Sequence, residues 1–130
     1  MFKRIDHVEI VTDQLDRMVQ FYTDVLGFKL RSKDRVEGGA AALQLAYLDL
    51  GGTTVELIAF EGATMPPAQA GEHLGYRMIA LEVEDMDAAL AYLKTKGVEV
   101  VWGPRGRKGH YLRAEICDPH GHHIELRQWH

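Results

Sequence analysis

The sequence predicts an α+β domain in which two β-α-β-β-β modules build one curved, cup-shaped mixed sheet. Three observations predict it. An alternating strand pattern followed by a helical-period stretch and a closing glycine occurs early in the chain and again later. Asp49, Gly52, Glu56 and Leu57 correspond to Asp118, Gly121, Glu125 and Leu126 at a constant displacement of 69 residues, while Leu15, Asp16 and Phe21 correspond to Met86, Asp87 and Tyr92 at 71. A run rich in Gly, Pro and Ala over 61–75, with no period, separates the copies. The reading is therefore one domain over 1–130, with module one at about 1–60, a linker at about 61–75 and module two at about 76–130.

Each element has its own signal. Residues 5–11 alternate and are rich in β-branched side chains, as a half-buried strand requires. Residues 12–26 place Leu15, Met18, Val19, Tyr22, Val25 and Leu26 at helical spacing, with Thr12 or Asp13 as N-cap and Gly27 as the stop. Strands follow over 28–33, 41–50 and 53–60, the last two joined through the turn residues Gly51 and Gly52. In the second module a strand over 78–83 precedes a helix over 86–96, with Ala88, Leu90, Ala91 and Leu93 inward and Gly97 closing it. A strand over 98–102, a polar loop over 103–109 and strands over 111–117 and 122–129 complete the pattern.

Composition narrows the function classes. At 46% hydrophobic and 26% charged residues the chain reads as an ordinary globular protein. A formal charge of −4 and a pI near 5.9 argue against nucleic-acid or anionic-membrane partners, which reward basic faces. The short basic stretch Arg105 to Lys108 reads as a solvated loop in preference to an anion clamp. Cys117 has no cysteine to pair with, which fits a reducing, cytoplasmic setting, and it reads as a small buried apolar group. Neither a signal-peptide core nor a membrane-length apolar run is expected.

Alternation puts His7, Glu9 and Val11 on one face of the first strand and Val8 and Ile10 on the other. By the repeat offsets His7 corresponds to Met78, and Glu56 to Glu125. Glu56 alternates with Val55 and Leu57, and Glu125 with Ile124 and Leu126, so all four positions lie on faces turned away from the helices. Burying an unpartnered carboxylate costs several kcal/mol, so each glutamate needs a cation or a hydrogen-bonding ligand, unless it reaches solvent or an arginine such as Arg113 or Arg127. Two glutamates at equivalent places, with a histidine on the same kind of face, favour a site.

From IDHVEIVTDQLDRMVQFYTDVLGFKL to DPHGHHIELRQW, nearly its whole length, the chain resembles the vicinal oxygen chelate superfamily, also called the glyoxalase/bleomycin resistance/dioxygenase family. The resemblance implies a glyoxalase-like fold and a divalent cation held at four positions, which fall here on His7, Glu56, Met78 and Glu125. Met78 departs from the pattern, because a neutral thioether is a poor substitute for imidazole on a hard or borderline ion. His7, Glu56 and Glu125 remain as the implied metal ligands for Zn, Ni, Mn, Fe or Co. Glu56 and Glu125 are the implied catalytic carboxylates, with Glu56 expected to move a proton next to a carbonyl.

The implied activity is that of a lyase or isomerase, glyoxalase-like or epimerase-like, working on a small oxygen-chelating substrate through an enediolate-type intermediate. Extradiol ring cleavage and fosfomycin-type thiol transfer are disfavoured, since Met78 stands at a ligand histidine of those relatives. The alternative is a metal-free small-molecule binder of the bleomycin-resistance type, its pocket lined by Met78, Tyr47, Trp102 and Tyr111. A third possibility is a duplicated fold whose catalysis has lapsed. His123 is read as a substrate contact or a fourth ligand, His73 as a weaker substitute, and His120, His122 and His130 as turn and tail residues. No stretch reads as a glutathione or coenzyme A clamp, so no organic cofactor site is expected. A homodimer is the expected assembly.

Overall fold

A computed structural model describes residues 1–37, 39–107 and 109–130. They form two compact units, Met1–Pro67 and Ala68–His130, divided inside the Pro- and Ala-rich run.

In the first unit, strand β1 (Val8–Val11) leads to helix α1 (Leu15–Gln20), which continues as a π-helical turn over Phe21–Val25. Strands β2 (Lys29–Glu37), β3 (Ala42–Leu50) and β4 (Thr53–Phe60) complete a sheet of order β1-β4-β3-β2. β1 runs parallel to β4, pairing Val8 with Val55 and Glu9 with Glu56. The helix starts later than its sequence period suggests. Thr12 is still tied to the sheet, its N–H donating to the Ile58 carbonyl at 2.8 Å. Its hydroxyl instead accepts from the Gln14 N–H at 2.9 Å, and Gln14 at the N-cap makes no side-chain cap of its own. Leu15, Met18, Phe21 and Tyr22 are buried with Phe28, Ala46, Leu48, Val55 and Leu57, making the core between helix and sheet.

The second unit repeats the plan. Strand β5 (Ile79–Glu82), helix α2 (Met86–Thr95) and strands β6 (Val100–Arg107), β7 (Tyr111–Cys117) and β8 (His123–Trp129) give the order β5-β8-β7-β6. Asp85 caps α2, accepting the Ala88 N–H at 2.9 Å. The inward stripe of α2 is Met86, Ala89, Leu90 and Leu93; Ala88 and Ala91, expected inside, are exposed. Gly27 and Gly97 follow the two helical segments with φ of +81° and +73°, the left-handed stop that a side chain would strain. Ile79 pairs with Ile124 where Val8 pairs with Val55, so the displacements of 71 and 69 residues both hold in the strand register.

Two expectations fail here, for physical reasons. The segment 103–107 is not a loop but the second half of β6, with Arg105, Gly106 and Arg107 opposite Arg113, Leu112 and Tyr111. Its Gly-Pro-Arg composition looks like a loop because the strand bulges twice and because glycine is required at one close approach. A Cβ on Gly106 would lie 2.0 Å from the Tyr111 carbonyl oxygen. The basic run Arg105 to Arg107 is accordingly strand, and Lys108 lies outside the described residues. We expect Gly106→Ala to lower stability by about 2–4 kcal/mol, because the β6–β7 backbones must part. Urea unfolding of the variant beside the wild type checks this.

The second correction concerns the β7–β8 hairpin. It is one residue longer than its counterpart: Cys117 pairs with His123, whereas Asp49 pairs with Thr54. Asp118 therefore leaves the strand and accepts the N–H groups of His120 and His122, at 2.8 and 2.9 Å. The slip also puts Glu115, not Ile116, opposite Glu125, at the place Tyr47 holds opposite Glu56.

Candidate functional site

The first unit gathers its candidate residues at the β1–β4 pair. His7 immediately precedes β1, and the parallel register brings Glu9 beside Glu56. The His7 Nε2 lies 3.1 Å from a Glu56 carboxylate oxygen and 3.5 Å from one of Glu9. One ligand atom from each of His7, Glu9 and Glu56 lies within 4.8 Å of the others, a spacing that admits a metal ion. His7 is half-buried and Glu9 exposed, whereas Glu56 is only 4% exposed and so depends on these partners for its charge. On the other side of the ring, His7 Nδ1 faces the Asp6 carboxylate at 3.0 Å, which fixes the imidazole's orientation.

Electrostatics follow from that enclosure. The hydrogen bond to Asp6 raises the His7 pKa above its usual value, partial burial opposes this, and Glu9 and Glu56 add to the rise. Asp6 is correspondingly held below the usual carboxylate range, first by His7 and then by Arg4. Tyr47, opposite Glu56 on β3, has its phenol pKa raised by burial and by its hydrogen bond to Glu56. Its ring meets the edge of His7 at 6.1 Å, and Arg31 covers it at 5.1 Å. Glu56 is thus held by an imidazole and a phenol.

The corresponding face of the second unit is built differently. Met78 and Ala80 occupy the places of His7 and Glu9. Glu125, 8% exposed, accepts from Arg127 at 2.6 and 2.8 Å and lies 3.2 Å from Arg113. Glu115, 6% exposed, accepts from Arg113 at 3.1 Å and sits 2.9 Å from His123 Nδ1. Trp102 stacks on Arg113, while Tyr111 and Trp129 stack on Arg127, with ring-to-guanidinium distances of 4.7–4.9 Å. Half-buried Met78 lies 3.8 Å from the Arg77 guanidinium.

Of the residues singled out in the sequence, the structure brings His7, Glu56 and Tyr47 together in the first unit. It brings Glu125, His123, Trp102 and Tyr111 into one network of arginines and acids in the second. Glu125 meets the arginine partners that the sequence offered as its alternative to a cation. His73 is exposed and faces the Gly71 carbonyl. Cys117 is half-buried, and burial raises its thiol pKa. Three further residues complete these sites: Glu9, Asp6 and Glu115. Glu9 shares the His7 face by alternation alone, a legible signal. Glu115 depends on the hairpin slip and was not legible.

The model of the Glyoxalase/Bleomycin resistance protein/Dioxygenase superfamily matches residues 4–126. A probable lactoylglutathione lyase of Synechocystis sp. is 32% identical over 124 residues, covering 94% of this chain and 92% of the relative. The mitochondrial methylmalonyl-CoA epimerase of Homo sapiens is 29% identical over 133 residues, covering 96% of this chain and 73% of the relative. Among solved structures, a glyoxalase family protein from Bacillus cereus superposes with a TM-score of 0.83 at 26% identity, covering 99% of this chain and 95% of its own.

Proposed function

Because the chain belongs to the glyoxalase/bleomycin resistance protein/dioxygenase superfamily, we propose that it is a divalent-metal-dependent lyase or isomerase of a small substrate with two neighbouring oxygens. The observation that carries this reading is the convergence of His7 Nε2 with carboxylate oxygens of Glu9 and Glu56, the last almost fully buried. One imidazole and two carboxylates suit Zn, Ni, Mn, Fe or Co, and an ion held there supplies Lewis acidity toward the substrate oxygens. Glu125 is given no share of the ion, since Arg127 and Arg113 already neutralise it within its own unit.

In this reading Asp6 fixes the imidazole orientation so that Nε2 faces the carboxylates. Glu56 takes the proton next to the substrate carbonyl and returns it, and Tyr47 steadies the carboxylate through its hydroxyl. The names of the two relatives, a lyase and an epimerase, support proton movement of this kind. Exposed Phe2, Ile5, Leu74 and Tyr76 support the homodimer that the family resemblance implies. No helix among the described residues is long and apolar enough to cross a membrane.

The test is metal content, measured on protein purified without a histidine tag because the clustered His120, His122 and His130 invite adventitious nickel. Near-stoichiometric divalent metal, or a melting temperature raised by added metal, is expected. Absence of both sinks the reading and favours a metal-free binder, which the neutral thioether of Met78 supports.

Metal affinity also carries a pH signature. Without an ion, His7 keeps its proton to a pH above the ordinary histidine value, so binding must expel that proton. Affinity is therefore full above the raised pKa and falls tenfold per pH unit below it. Asp6→Asn moves this midpoint to lower pH and lowers the plateau affinity by about 10-fold or more. Calorimetric titrations in two buffers, which count released protons, check both effects.

A further inference from the structure

One step along the strands from Glu115 and Glu125 lies a row that the proposed metal chemistry does not use. Strand pairing aligns Glu82, Arg127, Arg113 and Arg105 across β5, β8, β7 and β6. Alternation puts Arg113 and Arg127 on the face of Glu115 and Glu125. Trp102 contacts both Arg113 and Arg105, at 4.9 and 5.4 Å, which places the third guanidinium there as well. Like charges directly opposite on neighbouring strands repel, and the two buried acids of this face, Glu115 and Glu125, offset only two of the three positive charges in the row. The fold itself does not ask for them. The same row of the first unit reads Val11, Ile58, Leu45 and Asp34.

The acids on this face do not use up the donors. Arg113 spends a single terminal nitrogen on both Glu115 and Glu125, at 3.1 and 3.2 Å, and its buried Nε has no hydrogen-bond partner among the described residues. Among the described residues Arg127 serves Glu125 alone, through Nε and a terminal nitrogen. Glu115 is shared with His123 and lies 3.8 Å from Arg77, which is held mainly by Glu72. Arg105 is exposed and makes no ion pair among the described residues; Glu82, also exposed, stands at the far end of the row beyond Arg127. Stacking on Trp102, Tyr111 and Trp129 fixes the guanidinium planes by their faces and leaves N–H edges open.

We propose that Arg105, Arg113 and Arg127 form a subsite for an oxyanion, the carboxylate or phosphate group of a small-molecule ligand. A planar guanidinium fork matches the paired oxygens of such a group, and two neighbouring forks already oriented by aromatic rings bind it at little ordering cost. The subsite stands whether or not the chain holds a metal.

The test uses the full chain freed of metal with a chelator, with inorganic phosphate and malonate as probes and sodium chloride at matched ionic strength as the control. Saturable binding of at least one probe is expected by calorimetry, with a matching rise in melting temperature. Arg105→Gln should weaken it about 10-fold, the loss of one charge-assisted contact. Arg17→Gln, an exposed arginine of the first unit, should leave it unchanged. Phosphate alone identifies a phosphoryl ligand, malonate alone a carboxylate, and either supports the subsite. No saturation beyond the chloride control, or equal binding by wild type and Arg105→Gln, overturns it. Should Arg105→Gln lose folded protein, Arg105→Lys keeps the charge without the fork and should weaken binding to a lesser degree.

Discussion

Glu56→Gln lowers divalent-metal affinity by about 100-fold or more while leaving the protein folded. Outer-shell partners of metal ligands are each worth about 10–100-fold, and a carboxylate that itself faces the ion is worth no less. Glutamine keeps the volume of a side chain buried between β1 and β3 and removes a charge that is costly to bury, so the melting temperature should hold or rise. If Glu56 is also the base, kcat falls by about 10²–10⁴-fold even when metal is saturating. The two losses separate experimentally: excess metal restores occupancy but not turnover. A variant that binds metal as the wild type does would place the ion elsewhere and remove Glu56 from the site.

The legible part of this protein was what a single strand or helix records about itself. Strands β4 and β7 were read to the residue, because alternation and turn residues bound them on both sides. His7 and Glu56 were read as site residues from alternation and the repeat, and parallel pairing of β1 with β4 then joins them. What could not be read depends on neighbours across the sheet. Helix α1 starts only at Leu15, while Thr12 is still hydrogen-bonded to β4. The strand character of 103–107 reflects how closely β7 approaches Gly106. Glu125 looks the same on its own strand whether a cation or an arginine faces it. Arg113 reaches it from β7, and one extra hairpin residue sets which β7 side chains lie opposite β8.

That same arginine is the subject of the second large effect. Arg113→Met should destabilise the chain by about 2–3 kcal/mol, lowering the melting temperature by roughly 10 °C. Breaking a buried ion pair by removing one partner costs about 3–5 kcal/mol when the remaining charge is left alone. Here Arg127 still serves Glu125, and His123 still faces Glu115, so the lower figure applies. Methionine retains packing against Trp102, which isolates the lost charge from lost volume. Adding Glu115→Gln should recover part of the loss, and a double-mutant cycle measures how much. An Arg113→Met protein as stable as the wild type, or more so, would mean that the network gives no net stability. Its two acids and its arginines would then be held in place for what they bind, since a well-packed apolar replacement often outperforms a buried ion pair on stability alone.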